Sequence, residues 1–236
     1  MACLNSAAAM RRITMSTIEL GYGRGSINCE YDAARFEVLV AGEDSSHPLS
    51  DAEIGEALDA PIDSLPLEDL IAAGDSVLIV VSDATRATGS AQIINLLVRR
   101  LIQDGIETGE IAIIFATGIH RAVRPDEKAE LLTPFIAQRI RAIDHDAYDA
   151  SQLTPLGVTG HGTPVEVNRV LKEFNKVILT GAVGFHYFAG FTGGRKSICP
   201  GLAAAQTIES RTCWRLISNA AGGAVLLRVD YWTAMP

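Results

Sequence analysis

The chain changes its hydrophobic rhythm after Pro61. Upstream, from Thr17 to Val40, short stretches in which apolar and polar residues alternate (TIELGYG, SINCEY, FEVLVAG) are separated by glycines. A period of two broken by glycine predicts a small antiparallel β unit. PLSDAEIGEALDAP then reads as a helix closed by Pro61. Downstream, DSVLIVVSDATRAT carries an unbroken β-branched run, the pattern of a strand buried on both faces. AQIINLLVRRLIQDG follows with apolar residues at helical spacing and a glycine stop. EIAIIFATGIHRAV predicts a second buried strand, RPDEKAELLTPFIAQRIRAI a second helix, and NKVILTGAVGFH a third strand.

Strands alternating with amphipathic helices predict an α/β fold, a Rossmann-like parallel sheet with helices on both faces, preceded by the small β unit. In such sheets functional groups gather just beyond the carboxyl ends of the strands. Three segments hold that position: SDATRAT, ATGIHRAV and GFHYFAGFTGGRKS. In the first, the Arg86 guanidinium suits a two-point grip on a carboxylate or phosphate, with Asp83 orienting it; the alternative is an ion pair that braces the loop. In the second, His120 sits where a strand becomes a loop, a placement that suits a general acid or base as well as a structural histidine. His186 has the same position on the third strand, and two histidines on adjacent strand ends would flank one substrate. Lys196 follows Gly193 and Gly194, whose missing side chains let the backbone approach a bulky ligand. A lysine there binds an anion or forms a covalent bond to a cofactor, unless it is simply solvated. The Gly-Gly-Arg-Lys string lacks the spacing of a Walker loop. Tyr187, Phe188 and Phe191 are assigned to packing, with the alternative that one of them lines a pocket. His145, among the acidic residues of IDHDAYD, is read as solvated or loop-bracing, since no second metal ligand is paired with it by spacing. His47 and His161 have no informative context.

Composition narrows the ligand. With 236 residues, 48% of them hydrophobic, the chain has enough apolar surface for a sizeable core. A net charge of -8 argues against a nucleic-acid partner, which needs concentrated Lys and Arg, and points to a small molecule. Cys3, Cys29, Cys199 and Cys213 show no Cys-x-x-Cys spacing, so reduced thiols and a cytoplasmic location are expected. The apolar runs VLIVV and IAIIFA are far shorter than the roughly 20 residues a membrane helix needs. Residues 1–14 carry Arg11 and Arg12 without the apolar segment of a signal peptide. They are expected to be a disordered tail or an over-called start, with Met15 the natural beginning.

SDATR, ATGIHR and GFHYFAGFTGGRKSICPG, in that order on successive strands, resemble the nickel-pincer lactate racemases and related 2-hydroxyacid racemases. The resemblance covers residues 15–210, the N-terminal catalytic and cofactor domain of such enzymes. It implies that Lys196 tethers a nickel pincer nucleotide, a pyridinium bisthiocarboxylate mononucleotide whose sulfurs grip nickel. It further implies that His120 and His186 are the paired acid/base residues, and that Asp83, Arg86, Gly193 and Gly194 border the cofactor. Arg86 would anchor the carboxylate of a small 2-hydroxyacid. One histidine would take the hydroxyl proton while hydride moves to the cofactor, and the planar 2-oxoacid would take hydride back on either face. Cofactor-maturation proteins are implied as partners. Two other readings stay open: an epimerase of another hydroxyl compound using the same cofactor, and a non-catalytic small-anion-binding domain without nickel.

The family has a nickel-ligating histidine sixteen residues after the tethering lysine, and here that position is Thr212. A hydroxyl is a poor donor to a soft, sulfur-rich nickel centre. Residues 211–236 also cease to resemble the family and are read as an aberrant or truncated tail without the C-terminal domain, so this chain is expected to be inactive as it stands. A shift of coding frame near Arg211 would account for this. Reading one base earlier turns the single Trp codon at Trp214 into leucine and allows histidine at position 212.

Overall fold

The computed structural model describes residues 14–23, 25–39, 47–86, 88–160, 162–186 and 190–210. Thr212, the tail read at 211–236, His161, Tyr187, Phe188 and all but Thr14 of the N-terminal tail lie outside the described residues.

Met1–Pro48 and Leu49–Pro236 form separate compact units. In the first, β1 (Met15–Tyr22) and β2 (Gly25–Asp32) make an antiparallel hairpin in register from Met15 opposite Asp32 to Tyr22 opposite Gly25. The segment expected to continue it makes no strand through Leu39. Asp32 turns the chain out of the ladder, its side chain accepting the Ala34 N–H at 3.0 Å and its carbonyl those of Arg35 and Phe36 at 2.9 and 3.0 Å.

The second unit begins with α1 (Asp51–Asp59), whose start is set by a capping box. The Ser50 hydroxyl accepts the Glu53 N–H at 3.3 Å, and the Glu53 carboxylate accepts the Ser50 N–H at 2.8 Å. A short helix, α2 (Leu67–Leu70), leads into the sheet. Its four strands are all parallel, in the spatial order β5 (Arg141–Asp144), β4 (Ile111–Ala116), β3 (Val77–Ser82) and β8 (Lys176–Leu179). An α/β parallel sheet, preceded along the chain by a β unit, is the fold that the hydrophobic rhythm predicts.

Successive strand residues face opposite ways, so the continuous apolar runs feed two cores. Val77, Ile79 and Val81 with Ile111, Ile113 and Phe115 meet Ile94, Leu97 and Leu101 of α3 (Ser90–Gln103) on one side. Leu78, Val80, Ala112 and Ile114 meet Val170 and Leu202 on the other. Val170 belongs to a short 3-10 turn, Arg169–Lys172.

The second predicted helix is two helices and a strand: α4 (Pro125–Leu131), α5 (Pro134–Arg139) and then β5. Pro134 cannot donate to a continuing helix and disfavours helical geometry at Thr133, which instead caps α5 by accepting the Ile136 N–H at 3.4 Å. An antiparallel pair, β6 (Leu153–Val158) and β7 (Pro164–Asn168), was not anticipated. The third predicted strand stops at Leu179, and His186 lies in a separate two-residue hairpin of β9 (Phe185–His186) and β10 (Gly190–Phe191). No helix among the described residues is long and apolar enough to cross a membrane.

Candidate active site

The sheet order places β4 and β8 on either side of β3, so the strands before His120 and His186 are not neighbours; they flank the strand before Asp83. Just past β3, Asp83 is 7% exposed and its two oxygens have different partners. Oδ1 accepts the Thr85 N–H at 2.9 Å and the Thr85 hydroxyl, while Oδ2 lies 2.8 Å from His120 Nδ1. Burial alone would raise the Asp83 carboxyl. The hydrogen bonds of Thr85 and His120, with the charge of His120, outweigh it and hold the group below its ordinary 3.8. An ionised Asp83 accepts from Nδ1, which leaves Nε2 as the nitrogen with a lone pair in the neutral imidazole.

The backbone around His120 is fixed from below. Its N–H donates to the Thr117 carbonyl at 3.0 Å, the buried Thr117 hydroxyl donates to the His145 carbonyl at 3.0 Å, and the Gly118 N–H donates to the Gly201 carbonyl at 2.8 Å. Gly118 has a φ of +56°, and a Cβ there would sit 3.3 Å from the Pro200 carbonyl oxygen.

Lys196 sits in a 3-10 turn, Gly194–Ser197, that starts from Gly193. Gly193 has φ 73° and ψ -172°, a combination essentially closed to residues with a side chain, and a Cβ there would lie 3.0 Å from the Ala182 carbonyl oxygen. Burial first, and the positive charge of Arg86 second, push the half-buried Lys196 amine below its ordinary 10.5. His186, also half-buried, is lowered from 6.5 by burial and then by the charges of Lys196 and Arg86.

These side chains share a cavity of about 590 Å³, whose wall includes Asp83, Arg86, His120, His186, Gly193 and Lys196. Its volume is that of a small-molecule site. Gly194 is not on the wall; it has a φ of +52° and open space around it, so it shapes the turn without touching the cavity. Sequence reading missed Thr85, Thr88, Thr117, Thr192, Ser197 and Gly201 as wall residues. All but Thr117 and Gly201 lie within two residues of a position already singled out, and none of them titrates, so nothing marked them as chemical. Phe191, expected to pack, is half exposed and is not on the wall; its ring meets that of Phe185 at 5.5 Å.

His145 braces loops, as expected, but is buried at 2% exposure rather than solvated. Nε2 lies 3.1 Å from the Ala203 carbonyl and Nδ1 3.1 Å from the Asn168 amide, so Nε2 donates and Nδ1 accepts. Burial lowers its pKa from 6.5, against the Ala203 hydrogen bond and the charge of Asp146. Among the described residues no group of three His, Cys, Asp or Glu side chains is arranged to hold a metal.

Comparison with known proteins gives this cavity a context. The chain is 27% identical over 208 residues to the lactate racemase of Thermoanaerobacterium thermosaccharolyticum and 32% identical over 208 residues to that of Lactiplantibacillus plantarum. Each match takes in 87% of this chain and 49% of the relative. In three dimensions it is similar to the lactate racemase apoprotein from Thermoanaerobacterium thermosaccharolyticum, with a TM-score of 0.73 and 28% identity over 86% of this chain and 48% of that one. The chain thus spans about half the length of these relatives. Residues 22–223, which include every wall residue of the cavity, match the family described as the lactate racemase N-terminal domain, and the chain belongs to that family.

Proposed function

We propose that residues 15–210 are the N-terminal catalytic and cofactor domain of a 2-hydroxyacid racemase or epimerase of the lactate type. It works by reversible hydride transfer to a nickel pincer nucleotide tethered on Lys196. The observation that carries this reading is the convergence, on one cavity, of two histidines in unlike surroundings, an arginine, and a half-buried lysine that no described carboxylate pairs with.

The wall fits such a nucleotide. Lys196 would hold it covalently, its amine favoured in the uncharged, nucleophilic form. Gly193 gives backbone where a side chain would fill space, and Thr85, Thr88 and Thr192 bring hydroxyls to the same wall. Nickel would be carried by the pincer's own sulfurs. When bound, the group supplies a reversible acceptor for the hydrogen on C2 of the substrate.

The chain's own residues do the rest. Arg86 grips the substrate carboxylate and so orients C2. His120, with Nδ1 engaged by Asp83, takes the 2-hydroxyl proton at Nε2, and the adjacent carboxylate stabilises the imidazolium that results. His186, kept neutral by burial and its cationic neighbours, serves as the second base for the opposite enantiomer. Two bases on one cavity are what interconversion of mirror-image alcohols requires.

The test is intact-protein mass spectrometry with nickel analysis on the chain purified from a host that makes the pincer nucleotide. An adduct of nucleotide mass on Lys196 is the expected result. An unmodified mass without nickel would overturn the assignment for this chain.

A further inference from the structure

We propose that Lys196 of the cofactor-free chain captures small 2-oxoacids as a Schiff base, with Arg86 holding the acid's carboxylate. The chain has four lysines, and three are engaged. Lys128 pairs with Asp144 at 2.5 Å, Lys172 donates to the Thr154 hydroxyl at 3.1 Å, and Lys176 approaches Asp75 at 3.8 Å. Lys196 makes no side-chain hydrogen bond or ion pair among the described residues, and it lines a cavity with Arg86, His120 and His186. Burial and the Arg86 charge both disfavour its ammonium form, so more of it is free amine at neutral pH than an exposed lysine offers.

The wall supplies what imine formation needs. The Lys196 nitrogen adds to the C2 carbonyl carbon, and the carbonyl oxygen takes up a proton to give a carbinolamine. That hydroxyl then leaves as water while the nitrogen–carbon double bond forms. The nitrogen gives up both its hydrogens, they depart in the water, and no electrons are exchanged. His120, anchored at Nδ1 by Asp83, has Nε2 available to carry the proton between nitrogen and oxygen. The ligand class follows from Arg86: a carboxylate next to the carbonyl gains a charge-assisted two-point contact that a neutral aldehyde lacks.

This inference rests on the proposed function only in giving Arg86 the substrate carboxylate. It concerns the unloaded chain, because a tethered nucleotide uses the same nitrogen.

The experiment traps the imine. The full chain, made in a host without the pincer nucleotide, is incubated at neutral pH with glyoxylate and cyanoborohydride, and the reduced adduct is located by peptide mapping. A carboxymethyl group on Lys196, formed in clear excess over Lys172 and Lys176, is expected, since Lys196 lines the cavity beside Arg86 while those two lysines are engaged elsewhere. Arg86→Gln is expected to cut glyoxylate labelling of Lys196 by about tenfold while changing labelling by neutral glycolaldehyde far less. Even labelling across the four lysines, no label on Lys196, or an equal loss with both reagents in Arg86→Gln would overturn the proposal. Because the wild-type chain carries its own reference lysines, the result does not depend on a variant folding. If trapping fails while the nucleotide adduct forms in the other host, only this inference falls; if trapping succeeds and no nucleotide adduct forms, it stands apart from the racemase reading.

Discussion

Asp83 gives one oxygen to its own loop and the other to a histidine from the next strand. The first contact could be read from the sequence: Asp followed two residues later by Thr is a common turn in which the side chain imitates the backbone. The second could not, because His120 is 37 residues away and only the parallel pairing of β3 with β4 brings them together. Asp83 lines the cavity, and this contact adds the positioning of an imidazole to its expected part at the cofactor's border. Asp83→Asn is therefore expected to keep the fold and lower the turnover of a loaded, full-length enzyme by roughly a hundredfold or more. Its amide can donate to Nδ1 and so favour the tautomer with its proton on Nε2. Circular dichroism and substrate turnover check the two halves of this expectation. Loss of fold, or turnover within a few-fold of wild type, would remove Asp83 from that role.

The glycines beside Lys196 separate at the scale of the turn. Gly193 and Gly194 look alike in sequence, and both have positive φ. Gly194 has open space around it, so Gly194→Ala pays only for a left-handed backbone, about 1–2 kcal/mol. Gly193→Ala adds a Cβ 3.0 Å from the Ala182 carbonyl oxygen in a conformation nearly reserved for glycine. It is expected to be the more destabilising of the two in urea unfolding, and equal midpoints would contradict the geometry. Gly201 is stricter still: a Cβ would overlap the Ser197 carbonyl oxygen and lie 2.9 Å from the Ala116 Cβ. Gly201→Ala should cost about 1–3 kcal/mol and disturb the lysine turn, seen as lost Lys196 labelling. Element by element, the apolar runs that became β3 and β4 were legible because both their faces are buried. β5 was not, since four half-exposed residues after a helix carry neither a run nor a clean alternation. The hairpin bearing His186 was hidden for a different reason, being only two residues long on each strand.

Across the second unit as a whole, the least legible feature is the one that ties the cavity floor together. His145 touches Asn168, 23 residues on, and Ala203, 58 residues on, and its carbonyl receives the Thr117 hydroxyl. No local pattern announces a set of partners so far apart, and the flanking acids of IDHDAYD suggested solvent instead. Around this ring the segment after Lys196 is sewn to β7 and to the loop after β5: Asn168 N–H to the Leu202 carbonyl at 2.7 Å, Ala204 N–H to the Glu166 carbonyl at 2.9 Å, and Ala205 N–H to the Ala147 carbonyl at 2.9 Å. Protonation of His145 would put a second N–H where Nδ1 now accepts from Asn168. Because the folded pKa lies below the ordinary 6.5, the unfolded chain binds more protons as pH falls, so stability is retained above 6.5 and lost between 6.5 and the lower folded value. His186 adds to the same trend with the same sign. Urea unfolding at a series of pH values should therefore show a fall in stability on the acid side of 6.5 that is shallower in His145→Gln. The variant should itself be weaker by about 1–3 kcal/mol near neutrality, because the buried Asn168 amide loses one of its two acceptors and keeps only Gln152. A wild-type stability that is flat across this range, or a variant with an unchanged slope, would mean that the floor of the cavity is held by the backbone ties alone.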